Sequence, residues 1–178
     1  ANSPQQAKEM VDKIESYYNK DTYGSWRNNF LMISDDVDEF SDRLIQETTD
    51  IIAEDVKSEK PFLNVFKIHS DSYVQETTSG GARYSSVNKA IFDALEVGAI
   101  VVNYFGHGGE DGLAVERIFD KINAQELNNS NKLNCFVTIT CEYTKFDNPY
   151  RKSAGEYLFL NKSGGAISLI TTTRQILI

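Results

Sequence analysis

Cysteine and histidine are the side chains here best suited to covalent chemistry at neutral pH. The chain holds two of each: Cys135, Cys141, His69 and His107. A thiol attacks as its thiolate and titrates near ~8.5 when free, so it needs a base beside it. It also needs N–H donors aimed at the oxyanion that forms on an attacked carbonyl. His107 lies in Gly106-His107-Gly108-Gly109, and Cys141 closes the apolar segment LNCFVTITC. Gly108 has no side chain to screen its amide. That amide and the amide of Cys141 are candidate oxyanion donors.

The elements that must position these residues can be read from periodicity. Ser3-Pro4-Gln5-Gln6 is a helix start: an N-cap, Pro at the first helical position and a capping-box glutamine. Ala7, Met10, Val11, Ile14, Tyr17 and Tyr18 follow at helical spacing. NFLMIS (29–34) reads as a buried strand ended by Asp35-Asp36. A second helical stripe runs from Phe40 to Ile52, and 62–69 is the next strand. Gly80-Gly81 breaks the chain. Val87 to Leu95 form a third helix stopped by Gly98. AIVVNYF (99–105) barely alternates, as expected of a strand covered on both faces. Glu116 to Leu127 is expected to be helical, and 136–140 extended up to Cys141. Ser153-Ala154-Gly155-Glu156 is a capping box opening another helix, with Gly164-Gly165 ending it. Ala166 to Thr171 form the last strand, followed by Thr172, Thr173 and Arg174.

Strands and helices in this alternation imply an α/β fold, a three-layer α/β/α arrangement with a mainly parallel sheet of flavodoxin-like order, about 2-1-3-4-5. Ligands bind such sheets at the carboxyl ends of the strands. Asp35, Asp36, His69, His107, Cys141 and Thr172 to Arg174 all stand just past such ends. The strands leading to His107 and Cys141 are consecutive, hence expected neighbours ~4.8 Å apart. His69 would end an outer strand, about 14 Å from Cys141 across three spacings. Cys135 begins its strand, at the opposite edge, and serves as inert packing. In an extended strand the two cysteines are ~20 Å apart, beyond the ~7 Å a disulfide allows.

Other features carry less. GHGGEDG suggests a phosphate-cradling loop but lacks both the G-x-G-x-x-G spacing and a G-K-[ST] ending. Asp35, Asp36, Asp38 and Glu39 read as a solvated acidic turn, with calcium binding or orientation of a base as the alternative. Glu142 and Arg174 could be substrate contacts or surface charges. Two Cys and two His show no paired close spacing, so no zinc site and no other metal ligand set is assigned. The net charge of −8 offers no basic stripe for phosphates, which argues against nucleic acid and against an acidic membrane surface. No apolar run reaches the ~20 residues of a membrane span. The 178 residues suit one domain, 1–178; the chain opens in mid-flow and stops at Ile178 on an apolar run, which reads as a segment excised from a larger multidomain protein, so a missing signal peptide says little about location.

The blocks AIVVNYFGHG and CFVTITC resemble the His-Gly and Cys blocks of the caspase-like (clan CD) cysteine peptidases. The interval 141 − 107 = 34 residues resembles the gingipain branch. ANSPQQAKEMVDKI, GSWRNNFLMISDDVD, NYFGHGGEDGLAVER, TITCEYTKFDNPYRKSAGEYL and GGAISLITTTRQ, in order along the chain, resemble PorU-type proteins, the gingipain-like sortases of the type IX secretion system in Bacteroidetes. The resemblance implies a His107–Cys141 dyad, an oxyanion hole from the Gly108 and Cys141 amides, and Thr172 and Thr173 lining the pocket for the residue before the scissile bond. It implies a surface enzyme of a Gram-negative outer membrane that removes C-terminal signal domains from secreted cargo. The acyl group then passes to an amine on anionic lipopolysaccharide or to water. Outer-membrane secretion components would be its partners. It implies no required cofactor and leaves room for a structural calcium. No third catalytic carboxylate matches the pattern. The family's catalytic domains continue past the point where this chain ends. The alternative is a non-catalytic flavodoxin-like module that binds a secreted partner or nucleotide.

Overall fold

A computed structural model describes residues 1–176. The elements in chain order are α1 (Pro4–Tyr17), β1 (Asn29–Ser34), α2 (Arg43–Glu59), β2 (Asn64–His69), β3 (Glu76–Thr78) and β4 (Gly81–Arg83). Then come α3 (Ser85–Val97), β5 (Val101–Phe105), β6 (Gly108–Gly109), β7 (Gly112–Leu113), β8 (Phe119–Asp120), α4 (Lys121–Glu126), β9 (Asn134–Ile139), α5 (Ala154–Leu160) and β10 (Ala166–Ile170). The central sheet runs β10-β9-β5-β1-β2 and is parallel throughout. Numbered among themselves, its five strands take the order 2-1-3-4-5, and the helices make the expected α/β/α layers around it.

Strand parity decides which residues face which layer. Leu31 and Ile33 of β1, Val102 and Tyr104 of β5 and Phe136 of β9 join one buried cluster. Val87, Ile91 and Leu95 of α3, Ala124 of α4 and Leu158 of α5 complete it. Met32 points the other way and is fully buried, on the side where α2 packs against β1, β2 and β5 through Ile45 and Ala53. The β9 and β10 residues of that second face are less covered, with Ile139 and Ile170 exposed.

Three features depart from the sequence reading. Residues 116–120 are not helical. Phe119–Asp120 pairs with Gly112–Leu113, and the helix begins only at Lys121. The start is set by Asp120, whose carboxylate accepts the Ile122 and Asn123 amides, while Asn123 accepts the Asp120 amide in return. Gly80 and Gly81 belong to a short antiparallel hairpin, β3–β4, whose turn is Ser79-Gly80. The apolar stripe of α1 buries no residue, and Val11 and Ile14 are exposed.

Polar ties help hold α1 in place. The Lys13 ammonium donates to the carbonyls of Phe159 and Asn161 at the end of α5, at 3.0 and 3.1 Å. It caps carbonyls that the helix leaves unpaired. Burial pushes the Lys13 amine down to about 8. Between pH 8 and 10.5 the unfolded chain therefore holds more protons at this residue than the folded one, and stability rises with pH there. Replacing Lys13 by methionine is expected to remove that slope, worth at most about 3 kcal/mol. Urea unfolding at pH 7.5, 9 and 10.5 checks it: equal pH slopes in both proteins would place the lysine's titration elsewhere.

Candidate active site

His107 lies two residues beyond β5, and its backbone is held from three sides. Its N–H donates to Asp35 Oδ2 at 2.8 Å. Its carbonyl accepts the Tyr104 hydroxyl at 2.6 Å and the Ala114 amide at 2.8 Å. Gly106 makes this fit possible. A Cβ there would stand 2.4 Å from the Cβ of Asp35 and 2.6 Å from the Tyr104 oxygen. The Gly106 amide donates to Ile139 O at the end of the neighbouring strand β9, which ties the His107 loop to the strand leading to Cys141.

The imidazole stays accessible, with 47% of its side chain exposed, while Asp42 behind it is buried. Nε2 lies 3.3 Å from Asp42 Oδ1. A carboxylate at that distance favours the tautomer with the proton on Nε2, leaving Nδ1 unprotonated and basic. Asp42 sits in a single 3₁₀ turn (Phe40–Asp42) that leads into α2, where it and Glu39 cap each other's backbone amides. Burial opposes ionisation of Asp42, but hydrogen bonds from the Glu39 amide and from His107 outweigh it and hold the carboxyl below its ordinary value. Sequence reasoning missed this residue. The spacing Glu39-x-x-Asp42, a reciprocal acidic cap just before a helix, is the signal that marks it.

Gly108 begins β6. The Ala114 amide donates to the His107 carbonyl, so His107 and Ala114 occupy a hydrogen-bonded position of the β6–β7 ladder. Positions alternate in antiparallel pairs, so Gly108 opposite Leu113 falls at a non-hydrogen-bonded one. Its N–H is therefore directed away from β7. A side chain there would collide with Thr140 Oγ1, 2.6 Å from the would-be Cβ, so only glycine lets the loop lie against the Cys141 segment.

Cys141 follows the buried Thr140 just beyond β9, and both cysteines are free, as expected. His107 and Cys141 line one cleft of about 410 Å³, together with Asp38, Glu39, Asp42 and Ile176. They are not hydrogen-bonded to each other. Among the described residues the thiol instead meets the backbone of Ile176, donating to its carbonyl and accepting its amide, each at 3.5 Å. Glu142 has φ +51, a left-handed conformation that an ordinary side chain adopts at a cost. Its amide donates to Arg174 O, and its carboxylate pairs with Lys145 at 2.8 Å. Thr172 accepts the Thr144 amide on its carbonyl and donates its hydroxyl to Thr140 O. Glu142, Thr172 and Thr173 are absent from the residues lining the cleft. Glu142 and Thr172 shape the turn that carries Cys141. Arg174 forms an ion pair with Asp147.

The other expectations separate cleanly. His69 is engaged by Ser34 Oγ at 2.6 Å and Asp50 Oδ1 at 3.2 Å, a satisfied strand-end histidine on the edge strand. Cys135 pairs with Val101 at the start of β9. The acidic turn is only partly solvated: Asp38 and Glu39 are exposed, but Asp35 and Asp36 are buried. Burial and the neighbouring charge of Asp36 push Asp35 up to about 7, against the pull of the His107 amide.

The family model for peptidase family C25 matches residues 1–178. The chain belongs to peptidase family C25. It is thereby related to the gingipain-like, caspase-fold cysteine peptidases. Three solved structures share its fold. The Arg-specific cysteine proteinase gingipain R (RgpB) is 19% identical over 99% of this chain, with a TM-score of 0.77. The complex of Porphyromonas gingivalis RgpB pro- and mature domains is 19% identical over 98%, at 0.76. A structure described only as a protease is 20% identical over 99%, at 0.73. The chain spans 39%, 40% and 36% of those chains. No curated protein sequence matches it. Among the described residues, no helix is long and apolar enough to cross a membrane.

The close approach at Gly106 gives a direct test. Gly106→Ala is expected to destabilise the fold by about 2–4 kcal/mol, because the added methyl must displace buried Asp35. Urea denaturation measures this, and a loss below about 0.5 kcal/mol would show that the loop has room to spare.

Proposed function

We propose that this chain is the catalytic domain of a cysteine endopeptidase and transpeptidase of sortase type. The observation that carries the reading is the shared cleft: His107 and Cys141 at adjacent strand ends, with buried Asp42 against the imidazole, in a member of family C25. His107 takes the Cys141 thiol proton, and the thiolate attacks the scissile carbonyl. The Gly108 and Cys141 amides stabilise the resulting oxyanion. The C–N bond breaks as the imidazolium gives its proton to the leaving amine, which leaves a thioester on Cys141. An amine or water then attacks the thioester, gives its proton to His107, and the sulfur departs. Asp42 keeps the ring in the tautomer this cycle requires and stabilises the imidazolium. Glu142 and Thr172 support the turn that presents the nucleophile, and in this reading Glu142, Thr172 and Thr173 contact the substrate, the two threonines beside the residue before the scissile bond.

The substrates in this reading are secreted proteins carrying a C-terminal signal domain. The acceptor is an amine on anionic lipopolysaccharide, and the setting is a PorU-type enzyme of the type IX system at the cell surface of a member of the Bacteroidetes. The resemblance of its sequence blocks to that group supports this.

A second reading rests on the thiol's contacts with Ile176 rather than His107. In it the chain is a non-catalytic flavodoxin-like module that binds a secreted partner or nucleotide. Labelling with an acyloxymethyl ketone or iodoacetamide, read by mass spectrometry, separates the two. The enzyme reading expects Cys141 to label faster than Cys135, and both His107→Ala and Asp42→Asn to slow Cys141 by on the order of 10-fold or more. Labelling of Cys141 that ignores His107→Ala would leave the binding module standing. Incubating the full-length protein with cargo, wild type against Cys141→Ala, tests the substrate class. Mature cargo is expected only with the wild type, bearing either a free carboxyl terminus or an attached amine.

A further inference from the structure

The hairpin that carries Gly108 lies outside the central sheet. β6, β7 and β8 form a three-stranded sheet of their own, so no strand ladder fixes the hairpin against the end of β9. Its root is fastened where the Gly106 amide donates to Ile139 O. Its tip is fastened by Glu110. The Glu110 carbonyl accepts the amide of Ala154, the first residue of α5, at 2.8 Å. Glu110 Oε1 lies 3.3 Å from the Lys145 ammonium. Oε2 accepts the Asn148 amide nitrogen at 3.1 Å and lies 3.4 Å from Arg151 Nε. All four partners belong to the segment that follows Cys141.

Lys145 does more than hold the tip. Its ammonium also lies 2.8 Å from Glu142 Oε1. Glu142 is the residue after Cys141, and Glu110 stands two residues after Gly108. One cation therefore spans the two chain segments that supply the candidate oxyanion donors. Isolated exposed ion pairs contribute little, because water screens them and long side chains resist being held. Here the Glu110, Glu142 and Lys145 side chains are only 17, 23 and 27% exposed, and the lysine joins two carboxylates. A partly buried network with a neutral amide in support holds its geometry better than a lone pair does.

Oxyanion stabilisation depends steeply on position. Its donors must stand about 2.7–3.1 Å from the developing charge, and a misplacement of roughly 1 Å can cost on the order of 100-fold in rate. We propose that Glu110 and Lys145 are positioning residues of the oxyanion site, an assignment that rests on the peptidase reading above. They set the spacing between the Gly108 and Cys141 amides without touching the substrate. Without their contact, the hairpin tip would drift from the segment after Cys141. The His107 backbone would stay in place, since Asp35 and Tyr104 hold it from the sheet side. The defect would therefore fall on carbonyl chemistry and spare the thiolate.

Two reactions of Cys141 separate these effects. In alkylation by iodoacetamide the thiolate displaces iodide, and no oxyanion forms. Cleavage of cargo carrying a C-terminal signal domain passes through one. In the full-length protein, Glu110→Gln and Lys145→Met are each expected to lower kcat for cargo by about 10-fold, with KM and the iodoacetamide rate within about twofold of wild type. The double variant should lose little more than the worse single one, because both residues act through one contact. Lys145→Arg keeps the charge and should recover at least about half of the wild-type kcat. Circular dichroism verifies that each variant folds. Unchanged kcat in both single variants, alkylation slowed as much as cleavage, or losses that multiply in the double variant overturn the proposal and leave the peptidase reading in place. A wild type that releases no mature cargo overturns that reading and the proposal with it.

Discussion

The hydrogen bond from the His107 amide to Asp35 is the constraint around which the rest of the site is arranged. It joins the ends of β1 and β5, neighbours in the middle of the sheet, through a side chain with no access to water. A buried acceptor of this kind is satisfied only if the donor stands in one place, because the alternative is an unmet polar group in a low dielectric. The glycine before His107 lets the two segments touch. The tyrosine below fixes the carbonyl on the other side. The backbone of His107 is therefore rigid while its ring remains accessible, a combination suited to a residue that must exchange protons with a bound molecule.

Cys141, the proposed nucleophile, is positioned differently. Cys141 sits on a turn held by the segment that follows β10, through Glu142, Thr144 and Thr172, and it includes a left-handed residue. His107 is anchored from the sheet interior, whereas Cys141 is anchored from the outer side. The two line one cleft without bonding each other directly. Ile176 backbone groups occupy the sulfur in this state. A peptide entering the cleft as an extended strand would offer similar backbone groups, and loose geometry before substrate arrives does not count against a catalytic pair.

Much of this was legible from sequence because it depended on order and period. Consecutive apolar blocks gave the sheet, and counting strands chose His107 over His69 and Cys141 over Cys135 without reference to any side-chain contact. The parts that were not legible depend on burial. Asp35 and Asp36 look like a solvated turn because acidic pairs after strands usually are, and only the packed structure shows them enclosed. Asp42 was hidden because it lies 65 residues from its partner, and no local spacing links them. The helix expected from Glu116 failed for the opposite reason: Ile118 and Phe119 fit a helical count, yet pairing with Gly112–Leu113 buries them both.

The β6–β7 hairpin has a further consequence. Its turn is the two residues Glu110 and Asp111, and the direction of the Gly108 amide follows from the alternation of the ladder on either side. Inserting or deleting a single residue in that turn would exchange the two kinds of pair and rotate the amide into the hairpin. Selection on this loop therefore acts on its length as much as on its composition. Homologous chains should keep the number of residues between Gly109 and Gly112 unchanged.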